Sequence, residues 1–359
     1  MPISPRLNLL SLYRRQGYAY APAEIMLCPE QLRRFARGTG KPESALAEHF
    51  GFAFRPVQGL RTIVPDKSAF LRYYPRGLKE GARLTDWGVA HEPGGGEEAK
   101  HFTHMLHPLA GEITMDELRA YPFPRLSREN EEAQREQARA IQEAGLAAYG
   151  HMSCTTWETS WYMRGMEDLM VDMITGDEKA TFLLDYVTDM SVERAAAFAH
   201  AGVDVLVLGD DVGTQRATLM SPELYRQWLK PRLAKVIRAA REIKPDILIH
   251  YHSCGYVLPF IGDLIEAGID ILNPVQPECM PFDEIHAKYG DRLSFNGALG
   301  TQSTMPFGTP EEVYATVRRN LDIAGPQGGL VCCPTHVVEP EVPWENIMAY
   351  FEACKEYKS

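Results

Sequence analysis

The stretch His250-Tyr251-His252-Ser253-Cys254 sets an imidazole and a thiol two residues apart at the end of an apolar run, Ile247-Leu248-Ile249. On an extended chain alternate residues share a face, so His250, His252 and Cys254 point one way and Tyr251 and Ser253 the other. A His-x-Cys pair on one face supplies two of the three or four protein ligands that zinc takes. The third must come from elsewhere. A second apolar run closes as Cys332-Cys333-Pro334-Thr335-His336. His336, at the exit of that run, is the favoured third ligand; Cys333 is its competitor, and Glu158 is the candidate fourth. Zinc with an open position in such a set binds a substrate thiol and holds it as a thiolate, or activates a water. The metal-free alternative has His252 hydrogen-bonded in a polar mouth and Cys254 packed as a small hydrophobe.

Residues so far apart need a scaffold that brings them together. The segments AHAGVDVLVLGDD, EIKPDILIHYHSCG, IEAGIDILNPVQPE, YGDRLSFNGALGTQ and GPQGGLVCCPTH repeat one theme: a helix ending near glycine, an apolar strand, then a polar cluster. Amphipathic stretches such as PELYRQWLKPRLAKVIRAARE and EEVYATVRRNLDIAG join them, and ENEEAQREQARAIQEAG precedes a further strand near 146–152. Consecutive βα units of this kind predict an α/β protein with parallel strands, a (β/α)8 TIM-type barrel. The alternative is a doubly wound open sheet, disfavoured because no G-x-G-x-x-G or G-x-x-x-x-G-K-[ST] loop opens a helix.

In a barrel the C-terminal strand ends carry the chemistry. The polar clusters there are Asp210-Asp211, His252 with Cys254, Gln276, Asn296, Gln302 and His336. Asp210, Asp211, Gln276 and Gln302 are expected to orient donor and acceptor, with Glu158 and Tyr251 as further mouth residues. Each taken singly could equally be a turn residue bonding nearby backbone amides.

Residues 1–125 are expected to form an irregular N-terminal extension packed on the barrel, whose main part spans 126–359. Segment 85–110 looks like a hairpin or lid with a glycine-rich tip. Its histidines, His91, His101, His104 and His107, match no compact ligand spacing and are expected to be surface or structural. Cys28, Cys154, Cys279 and Cys354 likewise lack a partner pattern.

The 359 residues, 45% hydrophobic and 24% charged, suit a soluble globular enzyme. A net charge of −11 and a pI near 5.5 argue against a nucleic-acid footprint and for a small-molecule partner. No apolar run reaches the roughly 20 residues of a membrane span, and no secretory signal opens the chain. An odd seven cysteines fit a reducing compartment, so the expected location is cytoplasmic.

The stretch from about 200 to 352 resembles the uroporphyrinogen decarboxylase superfamily. GDDVGTQ with SPELYRQWLKPRL, HSCG, NPVQPE, NGALGTQ with FGTPEEV, and GGLVCCPTHVVEPEVPWENI carry the resemblance, with TDWG and HPLAG extending it weakly upstream. It implies a (β/α)8 barrel and one of two chemistries: cofactor-free decarboxylation of uroporphyrinogen, or zinc-dependent methyl transfer between corrinoid proteins and thiols such as coenzyme M. His252-Ser253-Cys254 matches the methyltransferase His-x-Cys pair, while the distant cysteine of that branch falls on His336. The decarboxylases' arginine-rich N-terminal motif corresponds here to Ala21-Pro22-Ala23-Glu24-Ile25-Met26-Leu27-Cys28-Pro29, which has no arginine. The resemblance therefore implies a methyltransferase with Zn2+ and a corrinoid on a separate protein, since no Asp-x-His-x-x-Gly segment is present. A decarboxylase or lyase of a small carboxylated substrate, with Asp210 or Asp211 as acid, and a non-catalytic binding barrel are the alternatives.

Overall fold

The computed structural model describes residues 3–94 and 103–357. Its centre is a curled, all-parallel sheet of seven strands in chain order: β1 (Phe54–Val57), β2 (Ala147–Ser153), β3 (Val205–Gly209), β4 (Leu248–His252), β5 (Ile271–Asn273), β6 (Ser294–Leu299) and β7 (Leu330–Pro334). Seven helices position the site from outside: α1 (Pro5–Tyr13), α2 (Glu131–Glu143), α3 (Trp157–Arg164), α4 (Glu178–Ala201), α5 (Lys230–Ile243), α6 (Pro310–Ala324) and α7 (Trp344–Glu356). Strands β3 and β7 are buried along their whole length, as expected of parallel strands covered on both faces.

Local chemistry accounts for the main supports. The Asp177 carboxylate caps α4 by accepting the Lys179 N–H, and Gly202 ends that helix in the left-handed region at φ 82°. Halfway along β2, Gly150 leaves room for α4: a Cβ there would lie 2.6 Å from Phe198 Cγ. Asp204, just before β3, accepts from Arg6 of α1 (2.7 and 3.0 Å), from Gln142 of α2 and from the Ala148 N–H of β2.

The structure departs from the eight-stranded expectation. Among the described residues the ladder has seven strands, and the segment 21–28 stays outside it, with one isolated parallel bridge from Leu27 to Val338, beyond the end of β7. The reason is local. Pro22 has no N–H to give a ladder, and Glu24 uses its N–H and C=O on the Tyr350 hydroxyl of α7, at 3.0 and 2.9 Å. One strand, β1, comes from the residues before 126, and α1 packs under the barrel through Asp204.

Between β1 and α2, antiparallel pairs (Arg61–Ile63 with Arg125–Ser127, and Arg83–Leu84, Ala90–Pro93 and Thr103–Leu106 together) surround a small separate core. Phe70, Val89, Leu109, Leu118 and Tyr121 pack there against Met163 of α3 and Leu183 and Val187 of α4. His91 bonds Thr103 Oγ1 at 2.8 Å, His104 stands opposite Glu92, and His107 bonds the Tyr162 carbonyl. His101 and the glycine-rich tip lie outside the described residues. No helix among the described residues is long and apolar enough to cross a membrane.

Candidate metal centre and active cavity

At the C-terminal ends of the strands opens a cavity of about 460 Å³. Its polar lining includes Glu158, Asp211, His252, Asn273, Asn296 and His336. Phe52, Phe54, Tyr149 and Tyr162 supply aromatic walls, and Glu24 and Met26 enter from the N-terminal segment.

At its edge, one ligand atom each from Asp211, His252 and Cys254 lies within 4.8 Å of the other two. His252 Nε2 is 3.3 Å from Cys254 Sγ and 3.7 Å from Asp211 Oδ1. Zinc bonds of about 2.0–2.3 Å at tetrahedral angles place ligand atoms about 3.3–3.8 Å apart, so these residues fit a zinc ion. The loops make the approach. Asp211 Oδ1 accepts the Cys254 N–H at 2.7 Å, and Ser253 Oγ accepts the Val212 N–H at 3.0 Å, which ties the turns after β3 and β4 together.

A chain of amides fixes the histidine. Asn296 donates its Nδ2 to Glu24 Oε1 (2.8 Å) and to the Tyr13 hydroxyl (2.9 Å), so its Oδ1 faces Asn273. Asn273 donates its Nδ2 to that oxygen at 2.7 Å, which turns its own Oδ1 to His252 Nδ1 at 2.5 Å. An acceptor there requires Nδ1 to carry the hydrogen and leaves the Nε2 lone pair facing Cys254 and Asp211. Burial, then the charges of Asp211 and Glu158, push the Cys254 thiol up to about 12. Without a cation beside it the sulfur stays protonated at neutral pH.

The other sequence-chosen residues divide. Glu158 lines the cavity, accepting from the Tyr162 hydroxyl at 2.6 Å and from the Asp211 N–H at 3.1 Å; burial raises its pKa. His336 lines the cavity too, and burial favours its neutral ring, but it is not one of the three clustered ligands. Cys333 faces Asn296 Oδ1 at 3.3 Å rather than that cluster.

Four expected mouth residues are placed elsewhere. Asp210 is buried and accepts the Thr156 and Glu158 N–H groups, anchoring the start of α3. Tyr251 points to the outer face of β4, its hydroxyl 3.4 Å from the Asp210 carbonyl. Gln276 accepts the Gly255 N–H and donates to Gln215, and Gln302 is exposed, its N–H on Glu278. None of these four lines the cavity. Asn273 and Glu24 went unchosen, although Asn273 ends its strand in register with His252.

The family model described as "Uroporphyrinogen decarboxylase (URO-D)" matches residues 139–357, more than half of the chain. The chain belongs to the URO-D family. Within it, the chain is 32% identical over 207 residues to the methylated-thiol–coenzyme M methyltransferase of Methanosarcina mazei, covering 54% of this chain and 49% of that protein. It is 30% identical over 184 residues to the methylcobamide:CoM methyltransferase MtaA of Methanosarcina barkeri, half of each chain. A uroporphyrinogen decarboxylase of Coxiella burnetii is 25% identical over 181 residues, 49% of this chain and 46% of that one. The chain thus spans about half the length of the curated relatives it matches. A solved structure titled "methyltransferase from Methanosarcina mazei" superposes over 99% of both chains with a TM-score of 0.66 at 19% identity, which shows the shared URO-D barrel-type fold.

Proposed function

We propose that this protein is a zinc-dependent methyltransferase moving a methyl group between a corrinoid, carried on a separate protein, and a thiol. The observation that carries this reading is the convergence of Asp211, His252 and Cys254 at ligand-to-ligand distances that suit zinc. The identity to two coenzyme M methyltransferases, 32% and 30% against 25% for the decarboxylase, supports it. When bound, zinc lowers the pKa of a thiol ligand so that it reacts as a thiolate. The chain's residues do the rest: Asn273 holds His252 in the binding tautomer, Glu158 takes the thiol proton, and the aromatic walls exclude water. In the transfer from corrinoid to thiol, the thiolate sulfur would take the methyl group and cobalt would keep the electron pair of the bond it loses. His336, which also lines the cavity, would be the candidate fourth ligand. The decarboxylase reading keeps only one of its two candidate acids, Asp211, because Asp210 is committed to backbone amides and lies off the cavity.

Elemental analysis tests the centre. Stoichiometric zinc is expected in the wild type, with loss in Cys254→Ser and in Asp211→Asn; zinc that survives both changes, and His336→Ala as well, rejects the site. Turnover is read as demethylation of methylcobalamin with a thiol. Coenzyme M, the thiol named for the relatives, is 2-mercaptoethanesulfonate, an anion.

A further inference from the structure

The cavity has a second polar layer that the proposed reaction does not use. Tyr149, His151 and Ser153 alternate along β2, and all three line the cavity. In register across β3, Ser153 meets Gly209 and then His252 at the strand ends, whereas His151 meets Val207 and then His250 one layer below. Two residues of strand span about 6–7 Å, which sets the depth of that layer beneath His252.

The two imidazoles of the lower layer lack protein partners. The side chain of His151 is exposed into the cavity and makes no hydrogen bond among the described residues. His250, also in the lining, is buried with both ring nitrogens unpartnered. The Asn273 amide does not serve it, being bonded to His252 and Asn296. An unpartnered buried polar group is costly, and a ligand that bonds it relieves the cost. A neutral imidazole donates at one nitrogen and accepts at the other, so its complement is an uncharged group that can do either. Val207, between the two rings, and Phe54 offer apolar walls to the stem of such a ligand.

We propose that His151, with His250 beside it, is a specificity residue that takes the far end of the substrate, a neutral hydroxyl or amide on an apolar stem of about four carbons, the length that spans the two layers. The proposal rests on the thiol methyltransferase reading and names the class of thiol that enters.

Calorimetric titration into the zinc-loaded protein compares 4-mercaptobutan-1-ol with pentane-1-thiol, which exchange a hydroxyl for a methyl at the far end. A short pair, 2-mercaptoethanol and propane-1-thiol, does not reach the lower layer. In His151→Phe the affinity ratio of the long pair should shift about tenfold towards the methyl compound, the scale of one net hydrogen bond, while the ratio of the short pair stays as in the wild type. His151→Gln should restore part of the long-pair ratio. Zinc content should match the wild type in both variants, each checked for a native circular dichroism spectrum, with His151→Leu taking the place of a phenylalanine that is not accommodated. A long-pair ratio that stays unchanged, an equal shift in the short pair, or loss of zinc overturns the proposal. Butane-1,4-diol and pentan-1-ol, compared by ligand-observed NMR, repeat the long pair without sulfur. If no thiol binds but the diol ratio still shifts in His151→Phe, the thiol acceptor is rejected and the subsite stands. If neither ratio shifts, the subsite fails.

Discussion

Asn273 orients a histidine of the candidate metal centre from behind. Its oxygen holds the Nδ1 hydrogen of His252, and its nitrogen is pinned by Asn296. Asn273→Leu should free the ring to take either tautomer and weaken zinc about 10- to 100-fold, the usual effect of losing a partner behind a ligand. A competition titration with a chromophoric chelator measures the affinity, and 15N shifts of His252 report the tautomer. Unchanged affinity with an unchanged tautomer would remove Asn273 from the centre. Sequence alternation placed His250 and His252 on the cavity side and Tyr251 on the other, because strand geometry alone dictates it. It could not show that Cys254, past the strand end, is brought back toward His252 by a bond from its N–H to Asp211. For the same reason Asp211 is legible in the sequence as a mouth residue but not as a clustered ligand, and the polar side chain of Asn273 does not stand out there from that of Gln276, three residues on.

At the scale of elements, α4 packs on β2, and two positions test how it is set. A Cβ at Gly150 would press into Phe198, so Gly150→Ala should destabilise the fold by about 1–3 kcal/mol, read from urea unfolding. Stability equal to wild type would mean that α4 shifts freely on β2. Asp177 caps the helix, and its hydrogen bond to the Lys179 side chain, then that to the Lys179 N–H, holds its pKa below the usual aspartate range. Asp177→Ala should cost about 1 kcal/mol at neutral pH. Because the folded pKa is depressed, the cap's contribution is complete above the unfolded pKa near 3.9 and fades as pH falls through the folded value. The two proteins should therefore converge in stability in acid, and a constant difference down to low pH would refute the cap. The repeated strand–polar pattern made β3 to β7 readable in the sequence. Strand β1 was not, since Phe54–Val57 is short, contains Pro56 and has one fully buried residue.

Over the whole molecule, residues 3–28 close what the sheet leaves open. An irregular, proline-broken segment carries no strand period, so the sequence alone places these residues in an appended extension. In the structure they run beneath the barrel and up to its mouth. Arg6 binds Asp204 below β3, the Leu12 carbonyl accepts the Gly329 N–H ahead of β7, Tyr13 bonds Asn296, and Glu24 reaches the cavity. Such a strap should unfold with the barrel as one unit. Arg6→Ala removes the only charged donor of Asp204 among the described contacts and should cost about 1.5–3 kcal/mol, the range for hydrogen bonds to a charged group. The loss should appear as a lower urea midpoint with an unchanged slope, in tryptophan fluorescence and far-ultraviolet dichroism alike. Zinc affinity of the folded variant should stay near wild type, because Arg6 lies at the opposite end of the strands from Asp211, His252 and Cys254. A separate early transition that releases zinc before the sheet melts would instead mean that the strap docks independently, with Glu24 and its chain of amides held only while it is docked.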